Sequence, residues 1–189
     1  MSETWDVGTL VLGFWTLDFA HWTLGIGLPK LSPMPDLLVN LLNLPPLESQ
    51  LKQLASHGVL IRRAQPFELT AVRDFIRKHF SVGWADEVSV GFANKPVSVH
   101  IATLNSKVIG FAAHECTRKD FFGPAGVAPD MQGRGIGKAL LLASLLALRE
   151  SGYVYGIIGG AGPVEFYQKT VGATLIAGSD PGIYTDLLK

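Results

Sequence analysis

The sequence predicts an α/β fold, and three observations carry that prediction. From Gly58 onward, short apolar stretches of strand character alternate with stretches of helical periodicity. A glycine-rich turn joins one of these strands, 121–127, to the strongest helical stretch in the chain, 135–151. The chain has 189 residues and is 48% hydrophobic, the length of about one domain with enough apolar surface to offset its ordering entropy.

Residues 1–35 form an apolar, aromatic-rich N-terminal extension that ends in the breakers Pro29, Pro33 and Pro35. Its stretch 10–28 has the length of a membrane span, but Asp18 and His21 lie inside it. No Lys or Arg precedes Lys30, so a signal peptide is not expected either. Trp5, Phe14, Trp15, Phe19 and Trp22 are expected to pack on the domain or on a second copy, which allows a homodimer through the extension. Residues 36–57 read as a helical leader broken at Pro45 and Pro46, with Leu47, Leu51 and Leu54 on one face.

Residues 58–189 read as the main domain. A strand over 59–63 precedes a helix over 66–80, where Phe67, Val72, Phe75, Ile76 and Phe80 recur at mixed three- and four-residue spacings. A second short helix is expected over 84–92. Three strands follow at 97–104, 107–116 and 121–127, the first two joined by a tight Asn105-Ser106 turn. The helix 135–151 is stopped by Gly152. A buried strand over 154–158, a helix over 163–171 and two terminal strands near 174–177 and 183–188 complete the order. Pro124 within the third strand removes a ladder donor, so a bulge or a free edge is expected there.

Composition narrows the function. Lys plus Arg and Asp plus Glu are 16 each, so the chain lacks the basic excess that binds nucleic acid or a membrane surface. Cys116 is the single cysteine, which excludes an intrachain disulfide and fits a reducing, cytoplasmic setting. His21, His57, His79, His100 and His114 show no ligand spacing, and no metal is expected. Glycine is in excess, 21 of 189 or about 11% where roughly 7% is usual. It is the residue used where backbone turns tightly or approaches a ligand.

The informative stretch is 127–138, Val-Ala-Pro-Asp-Met-Gln-Gly-Arg-Gly-Ile-Gly-Lys. A strand that ends in a glycine turn and opens a long helix aims unpaired N–H groups and a positive helix end at one point, an anion site. The Walker spacing fails, because only three residues separate Gly133 from Gly137 and Ala139 follows Lys138. The dinucleotide pattern fails too, with Lys138 where the third glycine is needed. A plain tight turn into a helix is the remaining alternative at this point.

Gln132-Gly133-Arg134-Gly135-Ile136-Gly137 resembles the Q/R-x-x-G-x-G/A acetyl-CoA motif of the GNAT acyltransferase superfamily. Thirty residues on, Glu165-Phe166-Tyr167-Gln168-Lys169-Thr170-Val171-Gly172-Ala173 is similar to that family's second signature helix, and the element order from Gly58 resembles the family throughout. The resemblance implies a mixed sheet with splayed parallel central strands flanked by helices. It also implies acetyl-CoA as cosubstrate and transfer of an acyl group to a small-molecule amine or a peptide.

On this resemblance, main-chain groups from Gln132 through Lys138 hold the pyrophosphate, with Ile136 inside the turn and Arg134 adding a charge-assisted bond. Ala125 and Val127 pair with the pantetheine arm, and the Val127 N–H is the donor to the developing oxyanion. Tyr167 protonates the departing thiolate, and Phe166 lines the cofactor. The family has no fixed base; Glu115, ending the strand 107–116, is the candidate here, with burial expected to raise its pKa. Gly159-Gly160-Ala161-Gly162 stands where the family often has asparagine, which suggests close backbone packing against the cofactor arm. Trp84, Asp86, Glu87, Asp180 and Tyr184 are the candidates to line the acceptor side. The competing readings are a catalytically silent acyl-CoA-binding sensor or scaffold, and an interaction protein working through its aromatic N-terminal third.

Overall fold

The computed structural model describes residues 34–185. Its strands are β1 (Leu37–Asn40), β2 (Val59–Arg63), β3 (Val99–Leu104), β4 (Lys107–His114), β5 (Phe121–Val127), β6 (Tyr155–Ile158) and β7 (Thr174–Leu175). Its helices are α1 (Glu48–Ser56), α2 (Leu69–His79), α3 (Val82–Ala93), α4 (Ile136–Glu150) and α5 (Val164–Val171). The strands form one sheet in the order β2-β3-β4-β5-β6-β1-β7. Every neighbouring pair is antiparallel except β5 and β6, which run parallel. This is the mixed α/β sheet with parallel central strands that the sequence predicts.

The leader differs from expectation. Helical pieces were expected over 36–56, but Leu37–Asn40 is a strand that sits between β6 and β7. Leu37 and Val39 are fully buried and Asn40 is exposed, a period-two pattern too short to stand out in the sequence. Asn40 then ends the strand by accepting the Leu42 N–H at 3.0 Å. The helical reading holds for a 3-10 turn, Leu41–Asn43, and for α1, one on each side of Pro45 and Pro46. At the other terminus, β7 covers two residues, and 183–185 carry no strand. The rest of the expected strand 183–188 lies outside the described residues, as does nearly all of the extension 1–35.

Local chemistry accounts for the element ends. Gln65 and Glu68 form a reciprocal capping box around Pro66, which starts α2. Ser81 Oγ accepts the Trp84 N–H at 3.1 Å and separates α3 from α2. Asn105 and Ser106 both have positive φ, +50° and +61°, the twist that a two-residue hairpin needs. The expected irregularity at Pro124 is a β-bulge: Ala112 pairs with Ala125 and His114 with Phe122, two steps on β4 against three on β5.

The sheet separates the helices into two layers. Phe111 on β4 meets Phe75 of α2, Phe80 and Trp84 of α3 edge-on, at 5.5–6.4 Å between ring centres. A Cβ on the adjacent Gly110 would instead meet Leu140 of α4 at 3.1 Å. Successive residues face opposite sides of a sheet, so α2 and α3 cover one face and α4 the other. Phe122 lies opposite His114 on the α4 face and meets Tyr167 of α5 at 6.3 Å, so α5 shares that face. Among the described residues no helix is long and apolar enough to cross a membrane.

Two histidines are buried under α4. His100 is 7% and His114 3% exposed; their rings stack at 5.7 Å, and His100 Nδ1 meets Ser144 Oγ at 3.2 Å. Burial, aided by the Arg63 charge, pushes His100 down to about 3 and His114 to about 4. Unfolded, each titrates near about 6.5, so the unfolded chain binds more protons below that pH. Stability is therefore complete above about pH 6.5 and falls as pH drops toward the folded values, at no more than about 1.4 kcal/mol per pH unit per histidine. Urea unfolding between pH 7.5 and 4.5 should show this slope, and His100→Gln should roughly halve it; an unchanged slope would refute the assignment.

Candidate active site

The site begins where β5 and β6 part. They pair at Phe121↔Ile157 and Phe122↔Ile158. Beyond Phe122, β5 runs on to Val127 alongside β4 only. The Ala128 N–H donates to Ile109 O at 2.9 Å, so the next pair inward, Gly110 with Val127, is a non-hydrogen-bonded one. Ala112 with Ala125 is another, by the same alternation. The main-chain groups of Ala125 and Val127 thus face the gap that β6 leaves. The Val127 carbonyl is met by Gln132 Nε2 at 3.3 Å. Without the extra residue of the bulge, Pro124 and Gly126 would take those positions, and proline has no N–H to offer.

The gap runs directly into the glycine turn. A 3-10 turn, Pro129–Met131, leads to Gly133 and Gly135 at φ +75° and +79°, a region other residues rarely adopt. A Cβ on Gly133 would meet nothing within 4 Å, so that edge of the turn is open. No side chain caps α4, and the first N–H to reach a helical carbonyl is that of Ala139, on Gly135 O at 3.1 Å. The N–H groups of Ile136, Gly137 and Lys138 are left at the helix tip, where an anion is favoured. Ile136 is 1% exposed and anchors the turn in the core, while Arg134 and Lys138 are exposed. Arg134 makes only a 3.4 Å contact with the Asp130 carbonyl.

One contact to this turn escaped the sequence reading. Gln50 of α1 donates Nε2 to the Gly135 carbonyl at 2.9 Å. A glutamine on the polar side of a helix carries no signal of such a role.

On the α4 face, α5 brings Tyr167 beside Phe122, the last β5 residue paired with β6. Tyr167 is 5% exposed, and its hydroxyl has no hydrogen-bond partner among the described residues. Burial alone pushes its phenol up, so it holds its proton at neutral pH. Phe166 touches Tyr167 at 5.2 Å and is 37% exposed, at the surface of the same face.

On the opposite face the glycines after β6 serve a different purpose from the one expected. A Cβ on Gly159 would come within 2.8 Å of the Phe121 ring and 3.0 Å of Tyr184 Oη. One on Gly160 would meet the Tyr184 ring at 2.8 Å. They make room for these aromatic rings, and the Gly160 N–H is taken by Asp36 Oδ1 at 2.8 Å. Gly126 likewise makes room for the ring of Phe80, which a Cβ there would strike.

The acceptor-side candidates divide. Glu87 accepts a hydrogen bond from the Thr117 hydroxyl; burial, with the Glu87 and Asp36 charges adding to it, pushes Tyr184 up to about 12. Asp86 turns outward to Arg73 at 2.9 Å, Asp180 accepts the Met34 N–H at 3.2 Å, and Trp84 stacks on Phe80. Glu87 and Tyr184 are the two that the fold brings near one another.

The pKa rise expected for Glu115 is corrected. The residue follows β4 at φ +54° and lies by the far end of α4, where Tyr153 Oη donates to it at 2.6 Å and Lys119 pairs at 3.2 Å. Burial pushes its carboxyl up, but these partners outweigh it and hold the carboxyl below the usual range, opposite to the rise expected. Cys116 beside it is partly buried, and burial pushes its thiol up to about 12, which keeps it protonated at neutral pH.

Residues 95–170 match the family model of the acetyltransferase (GNAT) domain. No curated protein sequence matches the chain significantly. Three solved structures share the fold over 77% of this chain. A glucosamine N-acetyltransferase region in a fungal multi-domain β-N-acetylglucosaminidase is 17% identical, with TM-score 0.62 and 20% of that chain covered. A GCN5-related N-acetyltransferase from Sphaerobacter thermophilus is 17% identical, with TM-score 0.57 and 50% covered. A Drosophila protein is 14% identical, with TM-score 0.53 and 48% covered. This chain spans half or less of the length of each.

The glycine turn can be tested apart from any reaction. Gly135→Glu forces a side chain at φ +79°, 3.2 Å from Gln50 Nε2, and sets a carboxylate at the anion site. Calorimetry with inorganic pyrophosphate should show binding to the natural chain and at least about tenfold weaker binding to the variant. Equal affinity would remove the turn as the anion site.

Proposed function

From the GNAT acetyltransferase domain that the chain carries, we propose that it moves the acetyl group of acetyl-CoA to a primary amine, by direct attack in a ternary complex. The observation that carries this reading is continuity. The Ala125 main chain and the Val127 N–H face the gap, and the same chain leads through the glycine turn to the free N–H groups of Ile136, Gly137 and Lys138. An extended arm ending in a pyrophosphate is the ligand that uses both.

The cosubstrate supplies an activated thioester; the chain supplies position and proton control. Pyrophosphate sits on the tip of α4, with Arg134 and Lys138 free to close on it. The Val127 N–H is aimed at the carbonyl oxygen, where negative charge grows as the amine nitrogen bonds to the carbonyl carbon and the C–S bond breaks. Tyr167 delivers its phenolic proton to the departing sulfur. Its raised pKa makes full transfer uphill, so the gain comes from a positioned donor in a site shielded from water. The acceptor enters from the α2–α3 face. There Glu87, in place of Glu115, attracts a cationic amine and takes up its proton.

Thiol release over a panel of primary amines tests the whole reading. CoA binding with no turnover of any amine would favour the silent acyl-CoA-binding module instead. Tyr167→Phe should lower kcat by about a hundredfold with the acetyl-CoA KM unchanged. Glu87→Gln should raise KM for a cationic amine by about tenfold and leave acetyl-CoA affinity alone. A Tyr167→Phe enzyme with natural kcat would end the proton-donor role.

A further inference from the structure

We propose that Gln50, on the leader helix α1, is a positioning residue for the acetyl-CoA cosubstrate. It fixes the Gly135–Ile136 peptide, so that the Ile136 N–H already faces the place of the pyrophosphate before the cosubstrate binds. This role rests on the reading of the glycine turn as the anion site, and it supplies the rigidity that the turn lacks.

The turn has little rigidity of its own. Gly133, Gly135 and Gly137 alternate along it, and glycine leaves the backbone more freedom than any other residue. A helix start is ordinarily held by an N-cap Ser, Thr, Asp or Asn, whose side-chain oxygen accepts an N–H of the first turn. Gly135 is the N-cap of α4 and has no side chain to do this. The missing cap leaves the N–H groups free for an anion, but their direction must then be set from elsewhere.

Gln50 sets it from the other end of the peptide. The Gly135 carbonyl accepts two hydrogen bonds, from the Ala139 N–H at 3.1 Å and from Gln50 Nε2 at 2.9 Å. In a trans peptide the C=O and the N–H point opposite ways in one plane. Holding the Gly135 oxygen therefore aims the Ile136 N–H off the tip of α4. The Ala139 bond is the first of the helix and frays with it. The Gln50 bond comes from a different helix, whose own backbone is fixed: Leu47 at its N-cap and Leu54 are buried, and Leu51 packs against the core. The leader thus contributes to cosubstrate binding without touching the cosubstrate.

The test uses the full chain and two variants that remove the bond in different ways. Gln50→Met keeps the length of the side chain and loses the donor. Gln50→Asn keeps the amide but is one carbon too short to reach the Gly135 carbonyl. Calorimetry with inorganic pyrophosphate should show each binding about fivefold more weakly than the natural chain, the effect of one net hydrogen bond. Melting temperatures should stay within about 3 °C of the natural chain. The acetyl-CoA KM should rise by the same factor with kcat unchanged, a split that a merely structural contact would not produce. Natural pyrophosphate affinity in both variants, where Gly135→Glu has lost it, would overturn the positioning role and leave the anion site standing. Absence of pyrophosphate binding by the natural chain would overturn both. So would neither outcome depend on acetyl transfer, because pyrophosphate binding is read without an acceptor.

Discussion

One extra residue in β5 sets the rest of the site. Two steps along β4 span three along β5 at Gly123–Pro124, and this shifts which main-chain groups look away from β4. Ahead of the bulge, Phe122 faces β6 and pairs with it. Past it, Ala125 and Val127 inherit that direction after β6 has diverged. A regular strand would have presented Pro124 there, with a carbonyl and no donor. The irregularity therefore puts an N–H at both outward positions of the strand edge, where a regular strand would have offered only that of Gly126.

The sheet also keeps two kinds of chemistry apart. Tyr167 approaches from the α4–α5 face, while Glu87 and Tyr184 belong to the α2–α3 face, with the parted strands between them. In the proposed reaction, the proton taken from the amine and the proton given to the thiolate would then have separate routes. Both groups are placed by packing. Glycines 159 and 160 leave the space that Phe121 and Tyr184 occupy, so part of the glycine excess serves aromatic seating.

Features set by short-range sequence were readable in advance. The strand–turn–helix at 121–151 and the spacing to Tyr167 rest on local glycine and apolar periodicity, and they stand where expected. What escaped depends on distant partners. The four residues of β1 carry too little pattern to compete with the prolines beside them, and only β6 and β7 make them a strand. Gln50 became a support of the turn through a contact 85 residues away. Glu115 ended a predicted strand next to the gap on paper, but its positive φ turns it to Tyr153 and Lys119, and those two groups decide its charge.

The placement of β1 has a further consequence for how the molecule is made. The strands β2 to β5 form a run of sequential antiparallel neighbours, so half of the sheet can zip up from nearby segments. The other half cannot. Leu37 waits for Ile158 and Leu175, 121 and 138 positions later, so β1 stays unpartnered until almost the whole described chain has left the ribosome. The seam between the early and the late half is the β5–β6 boundary, which is also the gap. Among the described residues the cleft thus lies on the seam between the two pieces, where the β5 edge past Phe122 has no strand beside it.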